Sequence, residues 1–202
     1  MAKQIVLVRH GQTEWSRDGR HTGRSDIPLT EQGESEASLV ATTLAGWGFR
    51  AAFSSPLIRA RETARLAGFD PTIDDDLLEW DYGEIEGRTN DAITAEQPGW
   101  SKWFDGPSGG ELVEAVGDRA DEFFGRLESI DGDVVVFAHG HLLSVAIARW
   151  LGLAAVEGRR FPLRTATVSV LGSKRDEHVL RIFNQVCGAV EIDPVTLGGT
   201  PH

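Results

Sequence analysis

Two apolar runs in this chain each end in a histidine and a glycine: Ile5-Val6-Leu7-Val8-Arg9-His10-Gly11 and Val134-Val135-Val136-Phe137-Ala138-His139-Gly140. A neutral imidazole is a nucleophile or a proton carrier near physiological pH. Arg9, beside the first imidazole, offers a planar fork of donors that matches phosphate or carboxylate oxygens. Arg59 follows Ser55-Pro56 in the first turns of a predicted helix, whose N-terminus favours an anion. His139 is followed by Gly140 and His141, which open another predicted helix. Such a set describes a pocket for a tetrahedral dianion. A single histidine at a strand end is more often a structural hydrogen-bonder, but four such residues on one sheet edge would repel each other without an anion. Zinc is the competing reading for His10, His21, His139 and His141, and the two arginines weigh against it, since fixed positive charge does not suit a cation site.

The elements that must deliver these residues follow from the hydrophobic pattern. Short β-branched runs read as strands covered on both faces, and ligands in such sheets bind beyond the carboxyl ends of the strands. Strands are predicted at residues 4–8, 51–54, 133–138, 165–171 and 179–186, with a minor one at 72–74. Helices are predicted from the Thr30 cap to about Trp47, from Pro56 to about Ala67, over 111–129 and over 141–151. This alternation predicts an α/β three-layer sandwich with a mainly parallel central sheet and helices on both faces. The last two strands, joined by the polar turn Ser173-Lys174-Arg175-Asp176, are expected to pair antiparallel at one edge. Residues 88–110, with Trp100, Trp103 and Phe104, read as a short helical excursion. Those three rings suit a lid or pocket wall, and ordinary packing onto the core serves them equally well.

With 202 residues and 41% hydrophobic content, the chain suits one globular domain with a full core. Twenty Lys plus Arg against thirty-one Asp plus Glu give a net charge of −11, which argues against nucleic acid or an anionic membrane as partner. Any positive field for an anionic substrate must then be local. The single cysteine, Cys187, excludes an internal disulfide and suits a reducing cytosol. The N-terminus does not read as a signal peptide, and the longest apolar stretch, Leu142 to Val156, is interrupted by Arg149 and too short to span a bilayer. The expected location is the cytoplasm.

Arg9-His10-Gly11 with Thr13, the run Ser54-Ser55-Pro56-Leu57-x-Arg59-Ala60-x-Glu62-Thr63, the segment Glu79-x-x-Tyr82-Gly83-x-x-x-Gly87 and His139-Gly140 together resemble the histidine phosphatase superfamily. The resemblance is to the branch holding cofactor-dependent phosphoglycerate mutases and related phosphatases, and it covers nearly the whole chain. The longer stretches Arg9 to Ser16, His21-Thr22-Gly23 and Glu79 to Gly83 are similar to actinobacterial mutase-like acid phosphatases and the fungal sedoheptulose-bisphosphatase type. It implies His10 as a nucleophile that becomes a phosphohistidine, with its other ring nitrogen held by a backbone carbonyl. Arg9, Arg59 and His139 are implied to hold phosphoryl oxygens, and Glu79 to donate the proton to the leaving group. Thr22, Gly23 and Tyr82 are expected to meet the substrate beyond the phosphate; Ser16, Gly140 and His141 complete the expected contacts. No metal or cofactor is implied, and analogy alone points to a homodimer. Two departures stand out: Ser16 where many relatives carry Asn, and Leu112 where many carry Ser after Gly-Gly-Glu.

A mutase of this family needs extra basic residues in the insertion after its general acid. Between Gly87 and Glu111 this chain has only Arg88 and Lys102 as bases, so a basic clamp for a second phosphate is not expected. Hydrolysis of a small phosphorylated metabolite is therefore the leading reading. The alternatives are a sugar-bisphosphate phosphatase of narrow specificity, a phosphoglycerate mutase, and a catalytically silent phospholigand-binding module.

Overall fold

The computed structural model describes residues 3–175, 177–188 and 192. Six strands form one sheet in the order β3-β2-β4-β1-β5-β6. They are β1 (Ile5–Arg9), β2 (Ala51–Ser54), β3 (Thr72–Ile73), β4 (Val134–Ala138), β5 (Thr167–Lys174) and β6 (Glu177–Val186). The first four in sequence run parallel; β5 pairs antiparallel with β1, and β6 antiparallel with β5. The antiparallel part therefore begins one strand further in than the β5–β6 hairpin alone. Ser173 and Lys174 belong to β5 rather than to the turn; Asp176 lies outside the described residues.

Alternation along the central strands builds the two faces. Ile5, Leu7, Val134 and Val136 pack into one apolar cluster with α5 (Val113–Leu127) and α6 (Gly140–Trp150). Val6, Val8, Val135 and Phe137 pack into a second cluster with α2 (Glu31–Thr43) and α3 (Ile58–Leu66). Helices thus cover both faces, as the alternating pattern predicts. Among the described residues no helix is long and apolar enough to cross a membrane.

Helix boundaries depart from expectation where local chemistry is ambiguous. α2 is capped by Thr30, whose hydroxyl accepts from Gly33 N at 3.0 Å, but it ends at Thr43 rather than near Trp47. The tail Leu44-Ala45-Gly46-Trp47-Gly48 carries two poor helix formers. α3 begins at Ile58, two residues beyond the expected start, and Ser55 does not cap it. α5 begins at Val113 with Leu112 as an uncapped N-terminal residue, so the departure at Leu112 leaves no side-chain cap. A four-residue helix, α1 (Glu14–Arg17), was not expected; it is too short to show periodicity. Residues 88–110 hold only α4 (Asn90–Glu96), followed by turns.

Candidate active site

Parallel pairing of β1 and β4 sets Arg9 opposite Ala138, so the residues that follow, His10 and His139, leave the sheet side by side. His10 N donates to Ala138 O at 3.0 Å, and the two imidazole centroids stand 5.3 Å apart at 59°. His10 Nδ1 lies 2.7 Å from the Gly11 carbonyl, which fixes the proton there and leaves Nε2 with a lone pair. Burial first, then Arg59 and Arg9, hold the His10 pKa well below its ordinary value. The ring is therefore neutral, and it lines a cavity of about 340 Å³ beyond the strand ends.

His139 is fully buried behind it. Its Nδ1 accepts from Arg59 Nε at 3.2 Å, so Nε2 carries the hydrogen and donates to Ser55 Oγ at 2.7 Å. Burial, Arg59 and His10 keep this imidazole neutral as well. Arg59 is also buried, its guanidinium donating to the carbonyls of Thr22, Gly23 and Ser25 at 2.8–3.2 Å. Neither His139 nor Arg59 lines the cavity; both stand one layer back. Arg9 does line it. That guanidinium donates to the Leu163 carbonyl, while its buried Nε has no hydrogen-bond partner, a donor suited to an anion. Gly140 makes room for it: a Cβ there would sit 3.1 Å from Arg9 Cζ.

Glu79 enters on the segment after residues 75–77. Its Oε1 accepts from Trp80 N at 2.9 Å and Leu142 N at 2.8 Å, and its Oε2 from His141 N at 3.1 Å. The carboxyl is thus fixed at the positive end of α6 and faces the cavity. Arg119 donates to the Leu78 carbonyl and pairs with Glu111, whose Oε2 accepts from Asp81 N, so the chain is clamped on both sides of Glu79. Tyr82 OH bonds His141 Nδ1, and both rings line the cavity. Trp103 packs edge-on to Trp80 and His141 as a cavity wall; Trp100 packs on the core and Phe104 is exposed.

The structure gathers His10, Arg9, Glu79, Tyr82, Ser16, Thr22, Gly140 and His141 around one cavity. The Ser16 hydroxyl, however, is occupied in a reciprocal cap with Thr13 at the start of α1, accepting from Thr13 N at 2.9 Å. Gly23 serves by close approach: a Cβ would lie 2.7 Å from the Trp80 carbonyl. Gly11 lets β1 come close to α2, since a Cβ there would lie 2.3 Å from the Gly33 carbonyl. Sequence reasoning missed Ser55 as the partner of His139, and Thr63, whose Oγ1 accepts from Gly11 N at 3.0 Å. It also missed Arg20, Asn90, Lys102 and Arg159 as cavity residues. Of the two bases expected in the excursion, Lys102 turns into the cavity, and Arg20 and Arg159 line it from elsewhere in the chain. Only their tertiary placement reveals them. Among the described residues no three His, Cys, Asp or Glu side chains converge as metal ligands.

A family model described as the histidine phosphatase superfamily (branch 1) matches residues 5–186. The chain belongs to that superfamily. It is 38% identical over 185 residues to an acid phosphatase of Mycobacterium tuberculosis, spanning 89% of this chain and 91% of the relative. It is 33% identical over 188 residues to a sedoheptulose 1,7-bisphosphatase of Saccharomyces cerevisiae, spanning 76% of this chain and 69% of that one. A solved open-reading-frame product of Mycobacterium tuberculosis superposes with a TM-score of 0.87 at 35% identity, covering 91% of this chain and 98% of that one.

Proposed function

We propose that the protein is a cytoplasmic phosphomonoesterase for small phosphorylated metabolites, working through a phosphohistidine at His10. The observation that carries this reading is the locked tautomer of His10, which presents a neutral Nε2 to a cavity that also holds the Arg9 guanidinium and the Glu79 carboxyl. In the first step the Nε2 lone pair attacks phosphorus and the P–O ester bond breaks, while the departing oxygen takes a proton from Glu79. In the second, Glu79 takes a proton from water, the resulting hydroxide attacks phosphorus, and the P–N bond breaks. Oε2 of Glu79, with a single backbone bond, has room for the proton. Arg9 and Arg59 offset the charge on the phosphoryl oxygens, mostly by preorganised position. His139 stays neutral behind His10, its Nδ1 accepting from Arg59 and its Nε2–H directed at Ser55, and so holds the Arg59 guanidinium in place. Analogy with the family extends the reading to a homodimer.

Phosphate release from a panel of monoesters, measured without added metal and with a chelator, tests it. Release that persists with the chelator and falls by at least about 10³-fold in His10→Ala is expected. Activity lost to the chelator, or unchanged in His10→Ala, contradicts it, as does conversion of 3- to 2-phosphoglycerate that outruns phosphate release.

A further inference from the structure

The carbonyl that holds His10 Nδ1–H belongs to the Gly11–Gln12 peptide, and that peptide is itself held from behind. Its N–H, on Gln12, donates to Glu36 Oε2 at 3.1 Å. Glu36 is half-buried in the second turn of α2. Its other oxygen, Oε1, accepts from Gln32 Nε2 at 3.4 Å, one turn earlier. Glu36 does not line the cavity, so its carboxylate acts from behind the nucleophile rather than on a substrate. An unbroken line thus runs from imidazole to carboxylate. It passes from His10 Nδ1–H to Gly11 O at 2.7 Å, across one conjugated amide, and from Gln12 N–H to Glu36.

The first turn of α2 is docked on the same dipeptide. Thr30 N donates to Gln12 O at 2.9 Å, and Thr30 Oγ1 to Gln12 Oε1 at 3.0 Å. A Cβ at Gly33 would lie 2.1 Å from Gln12 O, so glycine there lets α2 come this close. The peptide before it has a neutral tie, Gly11 N donating to Thr63 Oγ1 at 3.0 Å. Of the two peptides flanking Gly11, the one that holds the imidazole ends on a charge. Attack by Nε2 turns a neutral ring into a cationic one, beside Arg59 and Arg9, which disfavour that charge. A carboxylate bonded to an amide N–H shifts electron density onto the amide oxygen and makes it a stronger acceptor. That acceptor favours the cationic ring over the neutral one, so the gain falls on the transition state.

We propose that Glu36 is a positioning residue for the nucleophile: through the Gly11–Gln12 peptide it locks the His10 tautomer and stabilises the cationic ring that forms on attack. This rests on the phosphohistidine reading of the same site. Glu36→Gln tests it, because the amide keeps an acceptor for Gln12 N–H and removes the charge. With enzyme in excess over p-nitrophenyl phosphate, nitrophenolate release reads the phosphorylation of His10. Glu36→Gln should lower its limiting rate about 5-fold or more, with half-saturation within about twofold of wild type. The His10 Hδ1 resonance of enzyme labelled with ¹⁵N-histidine should move upfield, as a weaker hydrogen bond requires. Loss of a negative charge felt through space by the substrate would instead favour a dianion, so a slower rate has the opposite sign. Glu36→Ala should lose at least as much, and it replaces the Gln variant if the latter lacks a cooperative melt. A wild-type rate or an unmoved Hδ1 resonance overturns the inference alone and leaves Glu36 as a tie between α2 and β1. A loss confined to half-saturation also overturns it. No nitrophenolate release by the wild type overturns the phosphatase reading and this inference together.

Discussion

At His10 the chemistry reduces to which nitrogen holds the proton. The Gly11 carbonyl takes Nδ1–H, and burial with two arginines keeps the second proton off, so a nucleophile stays available well below pH 6.5. Glu79 supplies what His10 cannot, a proton for a poor leaving group. Replacing it with glutamine keeps an acceptor for the α6 N–H groups but removes the transferable proton. Glu79→Gln should therefore lose about 10²- to 10⁴-fold on alkyl phosphates. With p-nitrophenyl phosphate, whose leaving group needs no proton, it should give a nitrophenolate burst near the enzyme concentration and then slow turnover. Stopped-flow absorbance reads this; equal losses on both substrates, with no burst, would remove Glu79 from the proton-transfer role.

The elements matter through how closely they approach. β1 and β4 are adjacent and in register, so two histidines separated by most of the chain become neighbours without any long loop to hold them. That much was legible in the sequence, since a β-branched run ending in His-Gly marks a buried strand and its functional end. What was not legible depends on tertiary packing. Ser55 read as a helix cap because Ser-Pro suits one, yet the helix starts at Ile58 and the hydroxyl goes to His139. Lys102 read as one base in an acidic excursion because no local pattern says which way a turn residue faces. Gly140, by contrast, makes a sharp element-scale prediction: alanine there presses on Arg9 at 3.1 Å, against a side chain with some room to move. Gly140→Ala should retain its melting temperature within a few degrees while kcat/KM falls about 10-fold or more. Unchanged kinetics would show that the Arg9 position is not critical.

For the whole molecule, net charge and local field point opposite ways: an acidic protein with charge −11 buries a cluster of cations and neutral imidazoles at one sheet edge. The pKa values of His10, His21, His139 and His141 are all lowered, each chiefly by burial. Unfolded, these rings take up protons near pH 6.5; folded, they resist. The unfolded state thus binds more protons below that pH, and stability present above pH 6.5 is lost on acidification. Urea unfolding at pH 7.5 and 5.5 should show a loss of more than about 1 kcal/mol, the slope being bounded by about 1.4 kcal/mol per pH unit per imidazole. A flat or rising stability would mean the imidazoles are not kept neutral. The central claim, covalent transfer to His10, is tested most directly by acid-free quenching after mixing with ³²P-labelled p-nitrophenyl phosphate, whose leaving group needs no proton. The expected result is label on His10, stable to base and labile to acid, approaching one per chain in Glu79→Gln and absent in His10→Ala. No label in Glu79→Gln, or label that survives His10→Ala, would contradict the account.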